Sequence, residues 1–113
     1  MGLCTNKQDK LAIDLLKILD IYKDFEYVAG CDTFPFNKPA PRHLTDVVEI
    51  ICGDLKKTIM VGDSEVDANS AHNANLPFVL VKDGYTENSE NEINHAELIH
   101  YFFGFEKIIE KYL

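Results

Sequence analysis

The sequence predicts an α/β protein in which a mostly parallel sheet lies between two layers of helices. Short apolar runs alternate with stretches whose apolar residues recur at helical spacing. Strands that alternate with helices form parallel sheets joined by right-handed crossovers. The predicted order is β-α-β-loop-α-β-α-β-loop-β-α. Residues 1–113 are expected to form one domain, because no linker rich in Pro, Gly or Ser divides them.

The strands are predicted from apolar runs that end at turn residues. Thr5 and Asn6 follow the first run, Gly30 closes the second, and Gly62 stops the third. The run 78–81 is wholly apolar, which is typical of a buried parallel strand. The predicted strands are 1–4, 27–29, 59–61 and 78–81, with 96–100 as a candidate edge strand.

The helices are predicted from amphipathic spacing and from their end signals. Gly53 is expected to end the second helix as a left-handed cap, and Asn75, followed by Pro77, to end the third. Gly104 weakens the start of the fourth. The residues expected to face inward on the second helix are Leu44, Val47, Val48, Ile50 and Ile51. The other predicted helices are 7–19, the segment after Ser64 up to Asn75, and 102–113.

Composition excludes several classes of partner. A formal charge of −8 and a pI near 4.8 would repel nucleic-acid backbones and anionic membrane surfaces. No run reaches the roughly 18 apolar residues that a membrane span needs, and the N-terminus has no signal-peptide pattern. Cys4, Cys31 and Cys52 are an odd number at wide spacing. They favour reduced thiols and a cytoplasmic location.

Two carboxylates follow the third strand. Asp63 comes directly after Gly62, and Asp67 lies four residues later on the first turn of a helix. Side chains at this spacing lie on one side, so the two can converge on a hard cation such as Mg²⁺ at the carboxyl end of the sheet. The alternative is ordinary helix capping, with Asp63 or Ser64 as the N-cap and Asp67 as a first-turn acid.

Thr5 and Asn6 lie at the turn between the first strand and the first helix. Hydroxyl, amide and free backbone N–H groups at such a turn can hold an anion. The alternative is that one of these residues only caps the helix.

Lys38 is the only cation of the loop 31–41, which contains three prolines. Its alternative role is a solvated surface charge. Thr5, Lys38 and Asp63 nevertheless all follow strands whose carboxyl ends share one edge of a parallel sheet. A hydroxyl, a lysine and an acid pair are the groups that phosphoryl transfer requires.

Three motifs in this order resemble the haloacid dehalogenase-like hydrolase superfamily. They are CTNK, then GCDTFPFNKPAP, then TIMVGDSEVDANSAHNANLPFVLV followed by DGYT. The resemblance extends from Gly2 to about Tyr85 and is strongest to the phosphoglycolate phosphatase branch. It implies a Rossmann-like three-layer core and a Mg²⁺-dependent phosphatase acting on a small phosphorylated metabolite.

The resemblance also assigns roles to residues. Lys38 and Asp63 would be catalytic, with Lys38 neutralising the phosphate and Asp63 binding Mg²⁺. Asp67 would support either the metal or Lys38. The remaining roles are phosphate binding by Thr5, a flanking position for Asn6, and shaping of the metal loop by Gly62 and Ser64. Asn75 takes the place of a glycine common in relatives, which its tolerance of the left-handed conformation makes harmless.

Two parts of the family pattern have no match in these residues. Relatives begin with a strand that carries an aspartate nucleophile, followed by a helical cap. The sequence therefore predicts a partial core, 1–113, in which Met1 is an internal start or begins a truncated reading frame. Without the nucleophile no aspartyl-phosphate can form, so the chain is expected to be inactive alone.

The unmatched strand would lie between the strand ending at Thr5 and the strand ending at Asp63. Its absence would leave two unpaired edges, which are costly when buried. Three remedies are predicted: the two strands pair directly, a second copy of the chain supplies a strand, or a separate polypeptide such as a complementing N-terminal fragment fills the gap.

Two functions therefore remain open. The chain is either the C-terminal part of a phosphatase or a non-catalytic remnant that serves as an interaction module with an anion and metal pocket. Its substrate is not predicted, because the cap helps to select substrates in this family. His43, His72, His95 and His100 have no partner at metal-ligand spacing, and Asp83 and Tyr85 are weaker candidates for the site.

Overall fold

The computed structural model describes residues 1–82, 89, 92–100, 102 and 104–113, so Asp83 and Tyr85 lie outside the described residues. The strands are β1 (Gly2–Cys4), β2 (Tyr27–Ala29), β3 (Met60–Gly62), β4 (Phe78–Val81) and β5 (Glu97–Ile99). The helices are α1 (Asp9–Ile18), α2 (Arg42–Ile50), α3 (Glu65–Asn73) and α4 (Phe105–Tyr112). The α/β prediction is confirmed, with β2 and β4 at their expected bounds.

The described strands form two parallel sheets. One sheet has the order β1-β2, with Leu3 opposite Val28. The other has the order β3-β4-β5, with Val61 opposite Val79 and Leu80 opposite Leu98. Because all pairs are parallel, the carboxyl ends of the strands within each sheet lie at a common edge.

A layer of helices joins the two sheets. Helix α2 packs on β1, β2 and α3, while α3 packs on β3 and β4. Leu44 of α2, Ala68 and Ala71 of α3, and Leu80 of β4 belong to one buried cluster. Cys4 of β1 and Met60 of β3 pack against this cluster, so it contacts both sheets.

A cleft of about 850 Å³ is lined by both β1 and β3, and we call it the strand slot. Direct pairing of these two strands, the first of the three predicted remedies, is wrong, because the strands belong to separate sheets. β1 packs on α2 and β3 packs on α3, and no described residue closes the slot by pairing the two strands. Apolar side chains of the helices also line the slot: Leu15, Val47, Val48, Phe105 and Ile109.

The end of α2 differs from the prediction. The left-handed residue is Cys52, with a φ of 55°, and not Gly53. The helix ends at Ile50, earlier than expected, so the left-handed position falls on Cys52. The predicted inward position of Ile50 is also wrong, since this residue is 46% exposed. Leu44, Val47 and Val48 are buried as predicted.

Asn75 takes the left-handed conformation that was predicted for it, with a φ of 56°. We expect Asn75→Ala to lower the free energy of unfolding by about 1 kcal/mol, because an L residue with an ordinary side chain is strained there. Asn75→Gly should leave stability nearly unchanged, since glycine adopts this conformation without strain. Urea unfolding of both variants checks this prediction. Equal stability of the two variants would contradict it.

Among the described residues, no helix combines the length and the apolar character that crossing a bilayer requires. The mean hydropathy of the chain is −0.14.

Candidate active site

The structure brings the candidate residues to one end of the strand slot. Thr5 follows β1, Asp63 follows β3, and Lys38 comes from the loop after β2. All three, together with Asp67, line the slot. The juxtaposition that was expected from strand order is therefore present, and the chemical role of each residue remains a prediction.

Lys38 forms a buried ion pair. Its Nζ atom donates to Oδ1 of Asp67 at 2.5 Å, and the two side chains are only 10% and 8% exposed. Lys38 is therefore not the solvated surface charge that was considered as an alternative. A lysine fixed in this way presents its charge at one point, and Asp67 is the residue that fixes it.

The second oxygen of Asp67 is also engaged. Its Oδ2 accepts from the backbone N–H of Asp63 at 3.2 Å and from the hydroxyl of Ser64 at 2.8 Å. Ser64 in turn is the N-cap of α3 and accepts from the backbone N–H of Asp67 at 3.3 Å. Ser64 thus caps the helix, as the alternative proposed, and at the same time orients the Asp67 carboxylate.

Gly62 permits the close approach of Asp67. A Cβ atom added at Gly62 would lie 2.5 Å from Cβ and 2.6 Å from Oδ2 of Asp67. The position therefore requires glycine because of this contact, and not because of an unusual φ angle.

We expect Gly62→Ala to displace the Asp67 carboxylate and to weaken its ion pair with Lys38. The free energy of unfolding should fall by about 1–3 kcal/mol, the usual cost of overpacking a tight site. Urea unfolding measures the effect. Gly104→Ala is not an equivalent control because Gly104 has a positive φ. A Gly62→Ala variant as stable as the wild type would contradict the account.

Asn6 has a role that its sequence position did not indicate. Its side-chain amide bridges both backbone polar groups of Lys38: Oδ1 accepts from the Lys38 N–H at 3.2 Å, and Nδ2 donates to the Lys38 carbonyl at 3.1 Å. The predicted role beside the phosphate was based on its position next to Thr5. In the structure Asn6 connects the end of β1 to the lysine loop.

Thr5 retains a hydroxyl proton that it can donate. Its Oγ1 accepts from the backbone N–H of Lys7 at 3.1 Å, and its own N–H donates to the carbonyl of Ala29 at 2.9 Å. The hydroxyl therefore stabilises the turn before α1, in partial agreement with the capping alternative. Since the oxygen acts as acceptor in that bond, the proton remains able to bind an anion.

His43 and Cys4 are buried beside this network. His43 is fully buried, and its Nδ1 accepts from the Lys38 N–H at 3.2 Å. Burial and the nearby Lys38 charge lower the pKa of His43, so the imidazole is neutral. Burial raises the pKa of Cys4 to about 11, and its thiol donates to the His43 carbonyl at 3.4 Å. No sequence pattern indicated this position of His43, because it is a single histidine on a helix.

The site fits part of a divalent-cation site. Asp63 lines the slot, and its carboxylate is the type of ligand that Mg²⁺ prefers. Asp67 fits less well as a direct ligand, because both its oxygens are occupied by protein donors. The described part of the chain contains no group of three or more His, Cys, Asp or Glu residues that could hold a metal ion. Further ligands would have to come from other groups.

The fold and the residues at the strand ends define a parallel α/β protein with a largely apolar cleft that carries polar side chains where β1 and β3 end. The chain belongs to the haloacid dehalogenase-like hydrolase family, whose model matches residues 1–81. The resemblance inferred from the three motifs is thereby confirmed.

The chain is similar to phosphoglycolate phosphatases. It is 38% identical over 102 residues to the phosphoglycolate phosphatase of Mesorhizobium japonicum, covering 90% of this chain and 45% of that protein. It is 37% identical over 116 residues to that of Agrobacterium fabrum, covering 98% of this chain and 50% of that protein. The chain therefore spans about half the length of these relatives.

The crystal structure of a predicted phosphoglycolate phosphatase from Haemophilus somnus has the same fold. The TM-score is 0.88 at 25% identity, covering 95% of this chain and 48% of that one. The structure of a β-phosphoglucomutase-like protein from Thermotoga maritima, at 20% identity and a TM-score of 0.82, supports the fold alone.

Proposed function

We propose that this chain provides the phosphate-binding and metal-binding half of a Mg²⁺-dependent phosphatase that hydrolyses a small phosphate monoester, similar to phosphoglycolate. The observation that carries the proposal is the buried Lys38–Asp67 pair at the end of the slot, beside Thr5 and Asp63. The family and the similarity to phosphoglycolate phosphatases support it.

Each residue has a physical task in this proposal. Phosphoryl transfer spreads negative charge over the equatorial phosphate oxygens, and fixed donors stabilise that charge without reorganising. Thr5 donates a hydrogen bond from its hydroxyl group to a phosphate oxygen, and the ammonium group of Lys38 neutralises part of the phosphate charge. Asp63 would hold Mg²⁺, which supplies charge stabilisation when bound. Asp67 acts through Lys38 and is a positioning residue.

We further propose that the nucleophilic carboxylate comes from polypeptide outside these residues, on a strand that enters the strand slot. The slot has β1 on one wall and β3 on the other, and these strands belong to different sheets. A parallel strand placed there would end between Thr5 and Asp63. The chain alone would then bind the phosphate group of a monoester without hydrolysing the ester. A second copy of the chain occupying the slot is an alternative source of the strand.

Phosphate binding to the isolated chain tests the first half of the proposal. Addition of inorganic phosphate with Mg²⁺ should shift the NMR signals of Thr5, Lys38 and Asp63. Thr5→Val should weaken binding, because it removes the donor while keeping the shape. Thr45→Val, on α2 and outside the slot, is the matched control. If no signal at this edge responds to phosphate, the proposed phosphate site is contradicted, and so is the anion pocket of the non-catalytic alternative.

Hydrolysis of para-nitrophenyl phosphate by the isolated chain tests the second half. With Mg²⁺ present we expect no turnover above background. Turnover would mean that the chain carries its own nucleophile. Turnover that survives Asp63→Asn would show that the proposed metal site is irrelevant.

A further inference from the structure

We propose that His43 is a positioning residue that holds the backbone of Lys38, and through it the ammonium group, in the orientation that pairs with Asp67. The proposal rests on the proposed function only in giving Lys38 its task at the phosphate. The holding role itself stands on contacts within this chain.

The contact between His43 and Lys38 joins two elements. His43 lies in the first turn of α2, and its Nδ1 accepts the backbone N–H of Lys38 at 3.2 Å. The side chain is 0% exposed, and its ring packs edge-on against Phe34, with ring centroids 5.9 Å apart. The thiol of Cys4 donates to the backbone carbonyl of His43 at 3.4 Å, which connects the first turn of α2 to β1. A ring held on these sides has little freedom to leave the Lys38 amide.

The N–H of Lys38 is shared between two acceptors. Oδ1 of Asn6 and Nδ1 of His43 each lie 3.2 Å from the Lys38 nitrogen, so the peptide is held from the β1 side and from the α2 side. The ammonium of the same residue reaches Asp67, which is buried and fixed by Ser64. The backbone of Lys38 is thus held by Asn6 and His43, and its ammonium group is held by Asp67. His43 supplies one of the two backbone contacts.

Only a neutral imidazole can serve as this anchor. Nδ1 accepts the N–H only when it carries no proton, so the ring proton lies on Nε2. Burial and the charge of Lys38 lower the pKa of His43, whereas the carbonyl groups of Ala29 and Gly30 partly oppose this change. Nε2 makes no hydrogen bond of normal geometry with the described residues. Nδ1 is therefore the ring nitrogen that makes a hydrogen bond of normal geometry, and it makes that bond with Lys38.

The test compares His43→Asn with His43→Leu in the full 113-residue chain. The Asn side chain can place an oxygen near the position of Nδ1, whereas Leu has similar size and no acceptor. The readouts are the backbone amide signal and the ammonium signal of Lys38 in nitrogen-15 NMR, recorded without phosphate. We expect His43→Asn to retain both signals. In His43→Leu, hydrogen exchange of the Lys38 amide should accelerate about tenfold, as loss of one such bond predicts.

Phe34→Leu distinguishes the hydrogen bond of His43 to Lys38 from the packing of the His43 ring. This variant removes the ring contact and keeps Nδ1, so it should lower the denaturation midpoint while leaving the Lys38 signals in place. The proposal is overturned if His43→Leu leaves Lys38 exchange unchanged, or if His43→Asn disturbs Lys38 as much as a folded His43→Leu does. If His43→Leu does not fold, the folded His43→Asn variant decides alone. Loss of its Lys38 signals overturns the proposal, and retention of these signals supports the proposal. Because no phosphate is used, failure here is distinct from failure of the phosphatase proposal.

Discussion

Replacement of Lys38 with Met is expected to lower the free energy of unfolding by about 3–5 kcal/mol, because it leaves a buried carboxylate without its counter-charge. Lys38 and Asp67 are 10% and 8% exposed, so water compensates only poorly for the lost partner of Asp67. The double variant Lys38→Met/Asp67→Leu should lose less than the sum of the two single variants, since it buries no unpaired charge. Urea unfolding followed by circular dichroism measures all three.

The ion pair between Lys23 and Asp20 provides the matched control. Its Nζ–Oδ2 distance is 3.6 Å, and the side chains are 72% and 90% exposed. Exposed pairs of this kind contribute about 0–1 kcal/mol, so Lys23→Met should change stability little. If Lys38→Met were as mild as Lys23→Met, the pair with Asp67 would not be the buried anchor that the structure indicates.

A polypeptide that supplies a parallel strand to the slot is expected to bind this chain tightly. Each backbone hydrogen bond that a strand makes contributes about 0.5–1.5 kcal/mol, and a strand between β1 and β3 can form bonds along both. The slot also offers apolar side chains of α1, α2 and α4 to cover. We therefore expect a dissociation constant of about 1 μM or lower, which corresponds to about 8 kcal/mol. The probe is the portion of the Mesorhizobium japonicum relative that this chain does not match.

Calorimetric titration and size-exclusion chromatography measure this binding. Val61→Glu, which places a charge on a strand that lines the slot, should weaken it strongly. Ile50→Glu changes an exposed apolar residue of α2 outside the slot and should not. Equal effects of the two substitutions would contradict a strand-binding role for the slot. Self-association of the chain that Val61→Glu abolishes and Ile50→Glu does not would instead identify a second copy as the occupant of the slot.

Sequence patterns predicted the elements well because they reflect local physics. The wholly apolar run Phe78–Val81 could only be buried, and β4 is indeed the central strand of its sheet. Thr5, Lys38 and Asp63 each follow a strand, as predicted from strand order. Parallel topology aligns strand ends within each sheet, and the contacts of Lys38 with Asn6 and Asp67 connect the two sheets at this end. These predictions required no knowledge of individual contacts.

Features that depend on distant contacts were not predictable. The bridge from Asn6 to the backbone of Lys38 spans 32 residues, and no local pattern distinguishes it from a helix cap. His43 acquires its acceptor role only because the loop after β2 folds back onto the first turn of α2. The shift of the left-handed residue from Gly53 to Cys52 has a similar cause. It depends on where α2 ends, and the boundary of a helix is weakly encoded.

Hydrolysis of phosphoglycolate by a mixture of this chain and the unmatched portion of the Mesorhizobium japonicum relative tests whether a strand outside these residues completes the site. The mixture should hydrolyse phosphoglycolate in the presence of Mg²⁺, and neither component alone should do so. Asp63→Asn in this chain should reduce the rate at least about 100-fold, the typical cost of removing one group that stabilises developing charge. Hydrolysis by the isolated chain, or a mixture in which Asp63→Asn has no effect, would contradict the account.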